Sequence, residues 1–179
     1  FSYLSILLST NLCKDLNIET SNKQVDIGVR VELPRAITDH LTNELYEFKI
    51  YNSSKTTENM VRTFCMNPGG FVSQENYDDD LAVVNGHSYH DLKSNNTNFA
   101  LLVSNKFTEP FKSSNEYGES IAKIANCLGD SKPILQTLGD LKKFRWTRDS
   151  RLSKLFITPT LKDVVPGDLA LVMPHRIIT

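Results

Sequence analysis

Hydrophobic and polar residues alternate most regularly from Val25 to Leu33, where Val25, Ile27, Val29, Val31 and Leu33 stand against Asp26, Gly28, Arg30 and Glu32. A period of two places successive side chains on opposite faces, so the run predicts a strand with one wet face. Alternation returns from Leu45 to Tyr51, with Tyr46, Phe48 and Ile50 opposed to Glu47 and Lys49, and Asn52-Ser53-Ser54 supplies turn chemistry behind it. Shorter β-like runs lie at Val61–Met66, Leu81–Val84, Phe99–Ser104, Leu155–Thr158 and Leu169–Met173, separated by loops rich in Gly, Asn, Asp and Pro. Such spacing predicts a mainly β chain, an antiparallel β-sandwich of jelly-roll-like type, with residues 1–179 forming a single domain.

Two stretches break the period of two. Ile121, Ile124, Ala125 and Leu128 fall on one helical stripe within Glu119–Leu128, and Gly129 supplies a stop. A second helix is expected from Pro133, where Ile134, Leu138 and Leu141 recur at helical intervals despite Gly139. The polar connections Asn67–Asp80 and Gly86–Asn98 are too long for plain hairpin turns, and long loops on a rigid scaffold commonly carry binding.

Composition narrows the function classes. Lys and Arg total 20 against 21 Asp and Glu, a formal charge of -1, so no global basic field exists to attract nucleic acid or an anionic membrane. The apolar opening run Phe1–Thr10 lacks the basic flank of a signal peptide and is too short to cross a bilayer. A start at Phe1 suggests a fragment or a processed product. Cys13, Cys65 and Cys127 are odd in number and widely spaced, which predicts small buried hydrophobes in a reduced protein.

Few patterns carry chemistry. Gly86-His87-Ser88-Tyr89-His90-Asp91 gathers two imidazoles, a hydroxyl and a carboxylate, but adjacency in sequence does not converge Ser88, His87 and Asp91 as a hydrolase requires. His87, His90 and Asp91, even joined by Asp78-Asp79-Asp80, lack the ligand spacing of zinc or calcium sites. Asn67-Pro68-Gly69-Gly70 lacks the GK[ST] of a phosphate loop and reads as a turn. Neither catalysis, metal nor cofactor is therefore expected. Asn52-Ser53-Ser54 and Asn95-Asn96-Thr97 match the glycosylation sequon. Lys142, Lys143, Arg145, Arg148, Arg151 and Lys154 surround Trp146, a combination suited to an RNA strand or to acids on a neighbouring subunit.

The segment from Glu116 through Gly118-Glu119 to Ile124 resembles the Gly-Glu helical segment of capsid proteins of picorna-like viruses of invertebrates and protists. Phe1-Ser2-Tyr3-Leu4-Ser5 followed by Leu16-Asn17-Ile18-Glu19 is similar to the helix-to-strand passage of the same subunits. The resemblance implies a structural protein acting by subunit assembly, located in a virion assembled in host cytoplasm. Its partners would be other copies, sister capsid subunits and, through Lys142, Lys143, Arg145, Trp146, Arg148 and Arg151, viral RNA, with no membrane insertion. A receptor-binding attachment domain, glycosylated at Asn52 or Asn95, is the alternative, and a hydrolase centred on Ser88 the third.

Overall fold

The computed structural model describes residues 12–22, 24–45, 47–77, 81–105, 107 and 111–178. Among these residues eight strands are β1 (Val25–Pro34), β2 (Tyr51–Ser53), β3 (Met60–Pro68), β4 (Phe71–Tyr77), β5 (Leu81–His87), β6 (Asn96–Asn105), β7 (Ile134–Leu135) and β8 (Val165–Pro166). The helices are α1 (Asp39–Thr42), α2 (Ser114–Gly129), α3 (Leu138–Leu141), α4 (Asp149–Leu152) and α5 (His175–Ile178). The β-rich, antiparallel character with a few short helices agrees with the alternating pattern. A four-stranded antiparallel sheet runs β1-β6-β3-β2, β4 and β5 form an antiparallel hairpin, and β7 and β8 make a short parallel pair.

The strand β1 arises where expected, yet its polar face is not wet. Asp26 accepts hydrogen bonds from Arg62 at 2.6 Å and from Ser104 at 2.7 Å, and Glu32 accepts from Asn96 at 2.9 Å and from the Thr160 hydroxyl at 2.6 Å. Half-buried charges are tolerated because each finds a partner. The interior is correspondingly polar: Thr97, Asn98, Asp140 and Thr147 are the largest fully buried side chains, beside an apolar core of Ile27, Leu81, Ala82, Val103 and Val172.

The helix α2 packs against β1 and β5, but its expected apolar stripe is only partly covered, since Ile124 and Leu128 are exposed. At its start, Tyr117 packs edge-on against Phe107 with ring centroids 5.0 Å apart, and Gly118 lets the helix approach Val25. Near its end, Asn126 donates to the Ala82 carbonyl at 2.7 Å and accepts from the Ala82 N–H at 2.8 Å, pairing with the edge of β5 as another strand would. Asp130, in the left-handed conformation at φ 51°, then ends the helix.

Several local expectations are corrected. Of the expected strand Leu45–Tyr51, Glu47–Ile50 are irregular and only Tyr51 enters a strand, and Asn52 and Ser53 lie within that strand, β2, instead of in a turn. Leu155–Thr158 is irregular, and Leu169–Leu171 is a 3-10 turn capped by Asp168, whose carboxylate accepts from the Ala170 N–H at 2.9 Å. The helix expected from Pro133 is split into β7 and α3. The supposed loop Asn67–Asp80 contains β4, whose residues alternate in register with β5 from Phe71 opposite His87 to Tyr77 opposite Leu81. None of the three cysteines is buried: Cys127 is exposed, and Cys13 and Cys65 are partly so. Phe1–Thr10 and Asp78–Asp80 lie outside the described residues.

Candidate functional site

The pairing of β3 with β6 slips between Phe64 and Asn67: Phe64 faces Ala100, whereas Asn67 faces Asn98. Three steps on β3 thus answer two on β6, a bulge that Cys65 accommodates at φ 47°. The bulge aims the Cys65 carbonyl at two donors, Arg30 Nη2 at 2.9 Å and Asn67 Nδ2 at 2.8 Å. Asn67-Pro68-Gly69-Gly70 then reverses the chain as a turn, with Gly69 at φ 61° and the Gly70 N–H donating to the Asn67 carbonyl at 3.2 Å. Proline followed by a positive-φ glycine is the preference of a type II turn.

The hairpin of β4 and β5 returns over the sheet and brings Gly86 onto Arg30. A Cβ at Gly86 would stand 1.9 Å from Arg30 Nη2 and 2.2 Å from Asn98 Oδ1, so only glycine permits this approach. Below it, Arg30 Nε donates to Asn98 Oδ1 at 2.9 Å, and the Ser88 hydroxyl donates to Asn67 Oδ1 at 3.2 Å. Asn98 is fully buried and its Nδ2 has no partner among the described residues.

Electrostatics follows from this burial. Desolvation pulls the Arg30 guanidinium below its ordinary value, opposed by Cys65 and Glu75. Burial pushes Glu75 up, but hydrogen bonds from Asn85 and Tyr77, both at 2.7 Å, and the fields of His87 and Arg30 outweigh it and leave the carboxyl below its usual range.

The residues singled out from sequence are arranged differently. His90 and Asp91 pair with each other in open solvent, with side chains 96% and 93% exposed, while Ser88 is bonded to Asn67 and to neither imidazole. Among the described residues no group of three His, Cys, Asp or Glu side chains is placed to hold a metal ion. In the basic stretch, Arg145 and Arg151 donate to the buried Asp140 at 2.6 Å and 2.9 Å, joined by the Thr147 hydroxyl at 2.8 Å. Burial alone would raise the Asp140 carboxyl, but Thr147, Arg145 and Arg151 hold it far below the usual carboxylate range. Those two arginines organise the fold around α3, and Arg148 lies 5.5 Å over the exposed Trp146 ring. Lys142 and Lys143 are exposed.

Arg30, Cys65, Asn67, Gly86 and Asn98 were not singled out as a site. The only signals were the Asn-Pro-Gly-Gly and Asn85-Gly86 dipeptides, which mark turns as readily as sites.

A family model described as "FAD-dependent protein, C-terminal domain-like" matches residues 24–179. The chain belongs to that family. An uncharacterized protein of Clostridium beijerinckii is 30% identical to it over 145 residues, which are 72% of this chain and 27% of the relative. The chain thus spans about a quarter of that relative's length.

Membership of this family overturns the capsid resemblance, since neither match is viral. The Glu116–Ile124 segment is an interior part of α2, fixed by its packing on β1 and β5. Shell assembly and the attachment alternative are replaced by a relation to flavoproteins, and the virion location and subunit and RNA partners had rested on that resemblance. No helix among the described residues is long and apolar enough to cross a membrane.

The family name raises the question of FAD. A dinucleotide is commonly held where a strand, a glycine-rich turn and a helix N-terminus meet in a parallel sheet. Among the described residues the glycines other than Gly167 lie in antiparallel strands, in the turn at Gly69 and Gly70, or within helices; Gly167 follows β8, but that parallel pair is two residues long and leads only into the three-residue 3-10 turn at Leu169–Leu171. The described residues do not fit that mode of holding FAD.

Proposed function

We propose that the chain, as one domain, serves an FAD-dependent protein as a ligand-facing β module, while other parts of the polypeptide hold the dinucleotide. The layered arrangement expected of a sandwich belongs to this reading, with the β4–β5 hairpin as a second layer over β1 and β6. The chain supplies no catalytic nucleophile in this reading; its contribution is to bind and orient.

The observation that carries it is the convergence of the Cys65 bulge, the Asn67–Gly70 turn and Gly86 on the fully buried Asn98. Apolar residues of similar volume would hold two layers together at least as well, so polar groups kept there point to use. Family membership and the greater length of the relative support the division of labour.

Purifying the intact protein and measuring its visible flavin absorbance tests the reading. Wild-type protein is expected to carry flavin, Asn67→Ala to keep the same flavin-to-protein ratio, and Ser88→Ala to leave any turnover unchanged. Flavin lost from Asn67→Ala with native circular dichroism would place the dinucleotide against these residues and reject the proposal.

A further inference from the structure

Arg30 is a part-buried guanidinium that makes no ion pair within 4.0 Å among the described residues. Its Nε and Nη2 are fixed by neutral acceptors, Asn98 Oδ1 and the Cys65 carbonyl, so the side chain is held rigidly without being neutralised. Nη1 makes no hydrogen bond within the described chain and is not among its buried, unpartnered atoms. Glu75 lies within its field, but the Glu75 oxygens accept from Asn85 and Tyr77.

The partner chosen for Arg30 is informative. Asn98 accepts from two donors, Arg30 Nε and, at 3.4 Å, Asn67 Nδ2, so its oxygen must face them and its Nδ2 is left buried without an acceptor. Leaving a buried amide unsatisfied is destabilising, because its lost hydration is not replaced. Aspartate at this position would remove that orphan and pair with Arg30 directly. Asparagine instead leaves the guanidinium without a contacting carboxylate, with Glu75 acting on it only at a distance, beside Cys65 and Asn67.

We propose that Arg30 is an anion-binding residue and takes the oxyanion of a small ligand, a carboxylate or a phosphate, on Nη1. Asn98 acts as a positioning residue that orients the guanidinium without spending its charge. A fixed, weakly hydrated guanidinium suits such groups better than a mobile ammonium. The inference stands on Arg30 whether or not the flavoprotein reading holds, and flavin absorbance recorded alongside separates the two.

The test is modification of arginines in the intact protein by a dicarbonyl reagent, mapped by peptide mass spectrometry. Acetate and inorganic phosphate are titrated separately, with chloride at matched ionic strength as control. Saturable protection of Arg30, with exposed Arg148 unprotected, is expected from at least one oxyanion; which one protects names the ligand class. In Asn98→Asp the protecting concentration should rise by about tenfold or more, because the new carboxylate occupies the charge. Equal modification of Arg30 with and without both anions overturns the proposal, and so does unchanged protection in a folded Asn98→Asp protein. If that variant fails to fold, the wild-type protection pattern still decides.

Discussion

Gly86 and Arg30 meet at a distance that excludes a side chain, since a Cβ on Gly86 would lie 1.9 Å from Arg30 Nη2. The hairpin can close on the sheet only through this bare backbone. Gly86→Ala must therefore displace either the guanidinium or β5, and an overpacked layer typically costs about 1–3 kcal/mol. Gly139 is the control: nothing lies within 4 Å of its notional Cβ, and it sits inside α3. Gly139→Ala is expected to gain about 0.5–1 kcal/mol. Denaturant midpoints of both variants, moving in opposite directions, check the pair.

Asn126 substitutes for a missing strand at the edge of β5. Replacing it with alanine leaves the Ala82 N–H and carbonyl facing a helix without a partner, at a cost of about 1–3 kcal/mol. Hydrogen exchange should locate the effect: the Ala82 amide speeds up more than those of β1 and β6. Uniform acceleration across the sheet would show instead that α2 holds the whole fold.

Asp140 makes stability depend on acid. Its folded carboxyl titrates below the unfolded one, so its contribution is fully present above the unfolded value, about 4, and is lost as pH falls through the folded value. Asp140→Asn is expected to melt lower than wild type at neutral pH, with the gap narrowing as pH drops below about 4. A gap that stays constant with pH would mean that shape, not charge, accounts for the loss.

Thiol reactivity should rank with exposure. Cys127 is exposed on α2, whereas Cys65 is half-covered in the bulge beneath the hairpin. Timed alkylation with peptide mapping is expected to label Cys127 before Cys65, and Gly86→Ala to accelerate Cys65 selectively by parting the hairpin from the sheet.

The elements legible in sequence are those whose local pattern and tertiary fate agree. β1 alternates apolar and polar residues clearly enough to declare a period of two, β6 carries the unbroken apolar run Phe99–Val103, and α2 carries a helical stripe ended by Gly129 and Asp130. β4 was hidden because Ser73, Gln74, Glu75 and Asn76 make both of its faces polar, so that only its pairing with β5 defines it as a strand. The apolar run Leu169–Met173 misled in the opposite sense: Asp168 captures the Ala170 N–H and coils the run locally. The basic residues around Trp146 read as a free charged face until two of them turned inward to Asp140.

Sequence alone thus determined the β-rich class, the best strands, the long helix and the Asn67–Gly70 turn, because these depend on periodicity and backbone preference over a few residues. The cluster around Arg30 was decided only in the tertiary structure. Arg30 belongs to a face that alternation marks as wet, and it became a candidate binding residue when Asn98, 68 positions away, fixed one nitrogen and the Cys65 carbonyl, 35 away, fixed another. No local pattern encodes such pairings, since they depend on which polar groups packing leaves together and which it leaves without a partner.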